Sequence, residues 1–159
     1  MQKKGLVLLG TNLGDKAENF DFARRELALH TEIVAVSRIY VSPPWGYEST
    51  NDYWNQVVEL RFETEPHELL STLLAIEQRA GRVRNGEGYS DRTLDLDILH
   101  IDGVDMNTPE LELPHPRMHL RAFTLLPLLE LRPSFVLKSG LSAAAQLATL
   151  EHYCRPLQD

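Results

Sequence analysis

The chain has 159 residues, 43% of them hydrophobic and 25% charged, with a formal net charge of -7 at pH 7. This length and composition predict one soluble domain over residues 1–159, and the negative charge argues against nucleic-acid binding through the phosphate backbone. The single cysteine, Cys154, excludes an intrachain disulfide and a cysteine-based zinc site, so we expect a reducing compartment and a packing role for this thiol.

The N-terminal segment contains a short apolar run, residues 5–9, and we predict a strand over residues 5–10 that is buried on both faces. The run is too short for a signal peptide or a membrane span. We therefore expect a cytoplasmic protein that does not contact a membrane, unless a targeting segment has been removed.

A helix is predicted from Asp15 to Leu29, because Asp15 can cap it and Glu18 follows three residues later. The turn before it has the outer glycine spacing of a P-loop. Thr11-Asn12 stands where that motif needs Lys followed by Ser or Thr, so the P-loop is rejected. The predicted inward stripe of the helix consists of Ala17, Phe20, Ala23 and Leu27.

A second strand is predicted over residues 33–41, followed by a stiff loop that begins Ser42-Pro43-Pro44-Trp45. A third strand, residues 53–63, places Tyr53 and Asn55 on one face. A ring and an amide beside a rigid loop could hold a flat, hydrogen-bonding heterocycle. The alternative is an ordinary surface tyrosine and asparagine.

The next helix is predicted from Pro66 to Ala80, with Gly81 as its stop. Residues 82–92 follow, rich in arginine and glycine and with little to bury, so we predict a mobile segment. Its arginines could close over a polyphosphate. An ordinary exposed loop is the alternative.

After this segment, apolar and acidic residues alternate in Leu94-Asp95-Leu96-Asp97-Ile98. The period of two predicts a strand with Asp95 and Asp97 on one face, about 6.6 Å apart along the strand. Two like charges on one face repel, and carboxylate oxygens are the ligands that Mg²⁺ prefers. A magnesium site and a solvated acidic strand face are both compatible with this pattern.

The C-terminal part begins with Asp102-Gly103, a hairpin signal that predicts pairing of residues 99–101 with 104–106. His115 and His119 have a zinc-like spacing, but Pro116 lies between them and no HExxH pattern is present, so zinc is set aside. Helices are predicted over residues 122–130 and 141–150.

The predicted order is strand, helix, strand, strand, helix, strand. This order is that of an α+β domain with a ferredoxin-like split βαβ sheet and packed helices.

Several motifs together resemble the 6-hydroxymethyl-7,8-dihydropterin pyrophosphokinase family of the folate pathway. The resemblance covers about residues 5 to 137, and the last two segments are its most specific part. The motifs are Gly10-Thr11-Asn12-Leu13, Ser42-Pro43-Pro44, Tyr53-Trp54-Asn55, Gly81-Arg82-Val83-Arg84, Arg92-Thr93-Leu94-Asp95-Leu96-Asp97 and Pro114-His115-Pro116-Arg117 to Arg121-Ala122-Phe123.

The resemblance implies transfer of the β,γ-diphosphate of ATP to the pterin hydroxymethyl group, with release of AMP. It implies that Asp95 and Asp97 hold two Mg²⁺ ions and that Arg82 and Arg92 steady the phosphate charge as catalytic residues. The implied ATP-binding residues are Glu77, Arg84, Arg92, Ile98, His115 and Arg121. The implied pterin-binding residues are Ser42, Pro43, Pro44, Trp45, Tyr53, Asn55 and Phe123.

Three positions depart from the common family pattern. Tyr89 stands where many relatives have tryptophan, Ser42 replaces a common threonine, and Trp45 replaces an aliphatic residue. These departures bear on the closing segment and the pocket shape rather than on the reaction.

Two other functions compete with the enzyme. The domain could bind a nucleotide or pterin as a regulator without turnover, since this fold hosts many functions. RNA binding through the sheet face is disfavoured by the acidic charge and the lack of aromatic platforms on adjacent strands. The expected partners are the small molecules ATP and 6-hydroxymethyl-7,8-dihydropterin, and a monomer is expected.

Overall fold

A computed structural model describes residues 1–43, 51–81 and 93–157 of the chain. In the described part a six-stranded sheet and a small two-stranded sheet are combined with helices. The strands are β1 (Lys3–Thr11), β2 (Glu32–Val36), β3 (Tyr40–Ser42), β4 (Tyr53–Phe62), β5 (Asp95–Ile101), β6 (Met106–Asn107), β7 (Glu112–Leu113) and β8 (Arg155–Pro156). The helices are α1 (Lys16–His30), α2 (Pro66–Arg79), α3 (Ala122–Leu131) and α4 (Ala143–Leu147), with a 3₁₀ turn at Met118–Leu120.

The large sheet has the strand order β5-β1-β4-β3-β8, and β2 also pairs with β4. All of these pairings are antiparallel. With β1 and β4 at the centre, the connection β1-α1-β2/β3-β4-α2-β5 is the ferredoxin-like split βαβ topology. The fold predicted from the sequence is therefore confirmed.

The sheet separates two hydrophobic clusters. The first lies beneath α1 and α2 and includes Val7, Leu9, Leu96 and Ile98 together with residues from both helices. The second lies on the opposite face and joins the sheet to α3 and α4; its sheet residues include Leu6, Leu8, Val57 and Leu99. Asp95, Asp97 and Asn55 lie on the face of this second cluster.

Local sequence signals set the helix ends as predicted. The Asp15 side chain accepts a hydrogen bond from the Glu18 backbone N at 3.0 Å, Pro66 opens α2, and Gly81 follows α2 with a φ of 88°. The predicted inward stripe of α1 was wrong at one position, because Ala17 is exposed. Phe20, Ala23 and Leu27 are the buried residues of α1.

The strand predicted over residues 33–41 is broken at Ser37. The Ser37 backbone N donates to the Val57 O at 2.9 Å, but its hydroxyl accepts the Val57 backbone N at 3.0 Å. A side chain thus replaces the backbone partner of Val57 at this point. The result is two short strands, β2 and β3, both paired with β4.

The Asp102-Gly103 turn forms, but the predicted pairing of residues 99–101 with 104–106 is wrong. Strand β6 pairs with β7 instead. The segment after β7 occupies the outer edge of β5, where the His115 backbone N donates to the Leu99 O at 2.9 Å. A hairpin partner therefore has no place on that edge.

The helix predicted over residues 141–150 is shorter than expected, because α4 covers only Ala143–Leu147. Ser142 caps it by accepting the Ala145 backbone N at 3.1 Å. No helix in the described ranges has the length and apolar character that a membrane span needs.

Candidate active site

Four neighbouring strands each place one residue in a row across the sheet. In the register of the sheet, Asp95 of β5 lies opposite Gly10 of β1, Gly10 lies opposite Asn55 of β4, and Asn55 lies opposite Tyr40 of β3. Directly opposed residues of antiparallel strands point to the same face. An acid, a glycine, an amide and a phenol therefore line one face of the sheet.

Gly10 keeps a recess open between the acid and the amide. A Cβ atom at this position would lie 3.2 Å from the Asn55 Oδ1 and 3.9 Å from the Asp95 Cβ. Any side chain here would therefore fill the space between Asn55 and Asp95. The glycine lets a ligand approach the sheet backbone between these two polar groups.

Asp95 and Asp97 share one face of β5, as the alternation of the sequence predicts. Asp97 lies opposite Leu8, a member of the second cluster, whereas Leu96 and Ile98 belong to the first. Both acidic residues are half-buried. The described residues contain no group of three His, Cys, Asp or Glu side chains suited to a metal ion. A pair of carboxylates fits Mg²⁺, which keeps several waters and takes other ligands from substrate phosphates.

Glu77 supports the strand between these two acids. Its side chain is 1% exposed, and its Oε2 accepts the Leu96 backbone N at 2.7 Å. The Glu77 carboxylate thus binds the backbone at the outer edge of β5, midway between Asp95 and Asp97. Ile98 points to the opposite face, where it is buried in the first cluster. Binding of ATP by Glu77 and Ile98 stays a prediction.

The start of β5 is fixed by a polar cluster that the sequence analysis missed. The Thr93 backbone O accepts the Thr11 hydroxyl at 2.5 Å and the Asn19 amide at 3.0 Å. The same amide nitrogen lies 2.9 Å from the Leu13 O. Asn19 lies on the same face of α1 as Ala23 and Leu27. A polar residue on this apolar face could have indicated the cluster from the sequence.

We expect Asn19→Ala to lower the free energy of unfolding by about 1–3 kcal/mol, because buried hydrogen-bond acceptors lose their donor. Urea unfolding followed by circular dichroism measures the change. Asn107→Ala, at an exposed position of β6, is the matched control and should stay within about 0.5 kcal/mol of the wild type. Equal effects of the two substitutions would contradict the role of Asn19.

Four of the described residues predicted to bind the pterin lie on the face that carries the row: Ser42, Tyr53, Asn55 and Phe123. Asn55 is 4% exposed, and its Oδ1 lies beside the recess at Gly10. Ser42 ends β3 opposite Tyr53. Phe123, at the start of α3, packs against the second cluster on the same face. Pro43 is exposed, and Pro44 and Trp45 lie outside the described residues.

His115 lies close enough to Asp95 for their charges to interact. Burial, aided by the charge of Arg117, lowers the pKa of His115, while Asp95 acts in the opposite direction. Its Nδ1 accepts the Arg117 backbone N at 3.1 Å, which leaves Nε2 to carry the proton of the neutral ring. His115 can therefore donate to an anion beside Asp95.

Arg121 precedes α3 as its N-cap residue and is 5% exposed. Burial lowers its pKa to about 10, so the guanidinium remains charged at neutral pH. Its Cζ lies 5.6 Å from the centre of the Phe123 ring. A desolvated cation is thus held beside the aromatic residue that was predicted to contact the pterin.

The remaining predicted site residues are the arginines of the segment after α2. Arg82, Arg84 and Arg92 lie outside the described residues. Their roles, and the closing movement predicted for residues 82–92, stay predictions from the sequence.

A sequence model of the family "7,8-dihydro-6-hydroxymethylpterin-pyrophosphokinase (HPPK)" matches residues 6–133. The chain belongs to this family. The 2-amino-4-hydroxy-6-hydroxymethyldihydropteridine pyrophosphokinase of Porphyromonas gingivalis is 41% identical over 129 residues, which cover 79% of this chain and 88% of the relative. The enzyme of the same name from Synechocystis sp. is 42% identical over 133 residues, 82% of this chain and 67% of the relative.

A solved HPPK-DHPS protein in complex with substrates shares the fold of this HPPK chain. The TM-score is 0.77 at 13% identity, over 93% of this chain and 43% of that longer protein. The resemblance inferred from the motifs is confirmed. The predicted function, pyrophosphate transfer to hydroxymethyldihydropterin in folate biosynthesis, is the function of this family.

Proposed function

We propose that this HPPK-family enzyme transfers the β,γ-diphosphate of ATP to the hydroxymethyl oxygen of 6-hydroxymethyl-7,8-dihydropterin. In this reaction the hydroxymethyl oxygen forms a bond to the β-phosphorus. The bond between the β-phosphorus and the oxygen bridging it to the α-phosphorus breaks, and AMP leaves with that electron pair. The hydroxyl proton passes to solvent.

The row from Asp95 across Gly10 to Asn55 is the observation that carries this proposal. A carboxylate pair and a side-chain amide lie on one face, separated by a recess that only glycine leaves open. This arrangement supports a triphosphate bound beside a heterocycle. Phosphoryl-type transfer needs in-line positioning and charge neutralisation more than covalent help from the protein. The proximity of the two subsites is thus the main requirement of the reaction.

On the pterin side, Asn55 would pair with the donor and acceptor groups at the edge of the ring. Its side chain is buried beside the recess at Gly10, so a ligand that supplies both hydrogen bonds to the amide is favoured. Tyr53 and Phe123 would cover the two faces of the ring, with Ser42, Pro43, Pro44 and Trp45 beside it.

On the nucleotide side, Asp95 and Asp97 would hold two Mg²⁺ ions. When bound, these ions supply charge neutralisation and orientation for the phosphates. His115 and Arg121 would donate to phosphate oxygens. Arg82, Arg84 and Arg92 would add positive charge from the segment between α2 and β5, and Glu77 and Ile98 would lie near the nucleotide.

We also propose that the enzyme works as a monomer in the cytoplasm. The lone Cys154 suits a reducing compartment. Light scattering of the purified protein at micromolar concentration would measure its molar mass. A mass twice that of the chain would contradict the proposal of a monomer.

The test of the reaction is the identity of the nucleotide product. Purified protein, ATP, Mg²⁺ and the pterin should yield AMP and the pterin diphosphate in equal amounts, separated by ion-exchange chromatography. Formation of ADP would indicate transfer of one phosphoryl group and would contradict the proposal. Binding of ATP without AMP release would support a regulator instead.

A further inference from the structure

Glu130, near the end of α3, joins that helix to the segment that leads into β3. Its Oε1 accepts the Tyr40 hydroxyl and the Arg38 Nε, both at 2.7 Å, and its Oε2 accepts the Arg38 backbone N at 2.8 Å. Both carboxylate oxygens are therefore used. We call these three residues, Arg38, Tyr40 and Glu130, the α3 clasp.

Within the clasp, the Glu130 carboxylate is held in its ionised form. Burial alone would raise the pKa of Glu130, but the hydrogen bonds from Arg38 and Tyr40 outweigh it and lower the pKa. Burial and the bond to Glu130 raise the pKa of Tyr40, so the phenol keeps its proton. The three bonds are therefore charge-assisted, and such bonds are the stronger class in proteins.

The position of the clasp connects it to the substrate site. Glu130 follows Phe123 by seven residues, two turns of one helix, so both lie on the same side of α3, about 10.5 Å apart along its axis. At the other end, Tyr40 lies opposite Asn55 in the sheet and two residues before Ser42. The clasp thus joins the helix that carries Phe123 to the strands that carry Asn55 and Ser42.

From this geometry we propose that Glu130 is a positioning residue for the pterin. By fixing the rotation and axial position of α3 against β3, it sets the gap between Phe123 and the strands below. This inference rests on the proposed function, since it assumes that the ring lies between Phe123 and the β3/β4 end of the sheet. Glu130 itself touches no substrate.

Two substitutions test the clasp. Glu130→Gln keeps the size of the side chain but removes the charge that holds Arg38, and Tyr40→Phe keeps the buried ring but removes one donor. We expect each to raise the KM for the pterin, about tenfold for Glu130→Gln, the equivalent of 1.4 kcal/mol. The kcat should stay within about twofold, because the carboxylate pair lies on β5, outside the clasp. The KM for ATP should rise less than the KM for the pterin, because Arg121 precedes α3 but Asp95 and Asp97 belong to β5.

Glu32→Gln is the matched control. It removes an ion pair with Arg61, 3.0 Å apart, from the far end of β4, and should leave all three kinetic constants unchanged. A general loss of stability would lower the melting temperature and the amount of active protein without separating the two KM values. A melting temperature that falls in both clasp variants while the pterin KM stays at the wild-type value would overturn the proposal.

A binding measurement separates this inference from the reaction itself. The Kd of the pterin in the presence of a non-hydrolysable ATP analogue, measured by calorimetry, should rise in Glu130→Gln by the same factor as the KM. If the wild type binds the pterin but releases no AMP, the proposed reaction fails while the ratio of Kd values still tests the clasp. An unchanged Kd in Glu130→Gln, or no pterin binding by the wild type, would overturn the clasp.

Discussion

Asp97→Ala should abolish AMP release, with a fall in kcat of about 10³-fold or more. Asp97 is proposed to hold Mg²⁺, and loss of a metal ligand costs several kcal/mol of charge stabilisation. The protein should remain folded. Asp97 shares its face with Asp95, and removal of one of two like charges relieves repulsion. A coupled assay for AMP and a thermal melt measure the two effects.

Asp105→Ala is the matched control for this experiment. Asp105 is exposed and pairs with Lys138 at 3.6 Å, away from the row on the sheet. Its loss should leave kcat unchanged, as surface ion pairs contribute little. Asp97→Asn should behave like Asp97→Ala, since the amide keeps the shape but lacks the charge. Normal turnover by either Asp97 variant would mean that the carboxylate pair does not hold the metal.

Arg121→Met should raise the KM for ATP about 100-fold, with a smaller change in the KM for the pterin. The guanidinium is buried beside Phe123, and loss of a desolvated charge that faces a phosphate costs about 2–5 kcal/mol of binding energy. Since its pKa is lowered only to about 10, the group stays protonated from pH 6 to 9. The contribution of Arg121 to the KM for ATP should therefore be flat over that range.

The control here is Arg25→Met, on the exposed face of α1. Arg25 pairs with Glu18 at 3.0 Å, and its side chain is 63% exposed. Steady-state kinetics at several pH values compares the two variants. An Arg121→Met enzyme with the wild-type KM for ATP would exclude Arg121 from the nucleotide site.

Local rules explain why most of the fold could be predicted. The cap at Asp15, the proline that opens α2 and the glycine that ends it each depend on a few neighbouring residues. The same holds for β5, where a period of two separates Asp95 and Asp97 from Leu96. These features required no knowledge of the rest of the chain.

The wrong predictions share a different cause. The break at Ser37 depends on Val57, twenty residues away in sequence, and the hairpin after β5 fails because the segment after β7 takes the edge. Both outcomes are decided by competition for backbone hydrogen bonds between distant segments. A reading of local periodicity carries no information on that competition.

The candidate site shows the same division. Motifs predicted the acids, the amide and the aromatic residues, because their spacing is short and specific. The supporting groups, Asn19 and Glu130, were missed since each acts on a segment more than seventy residues away. The recess at Gly10 likewise could not be predicted from the sequence, because it depends on Asp95 and Asn55 lying on either side of it in the sheet.

Electron paramagnetic resonance of bound Mn²⁺, used in place of Mg²⁺, tests the carboxylate pair most directly. With the pterin and a non-hydrolysable ATP analogue present, the wild-type protein should bind two Mn²⁺ ions that interact magnetically. The variant with both Asp95→Asn and Asp97→Asn should lose that interaction and at least one ion. Two coupled ions bound equally well by the double variant would show that the metal site lies elsewhere.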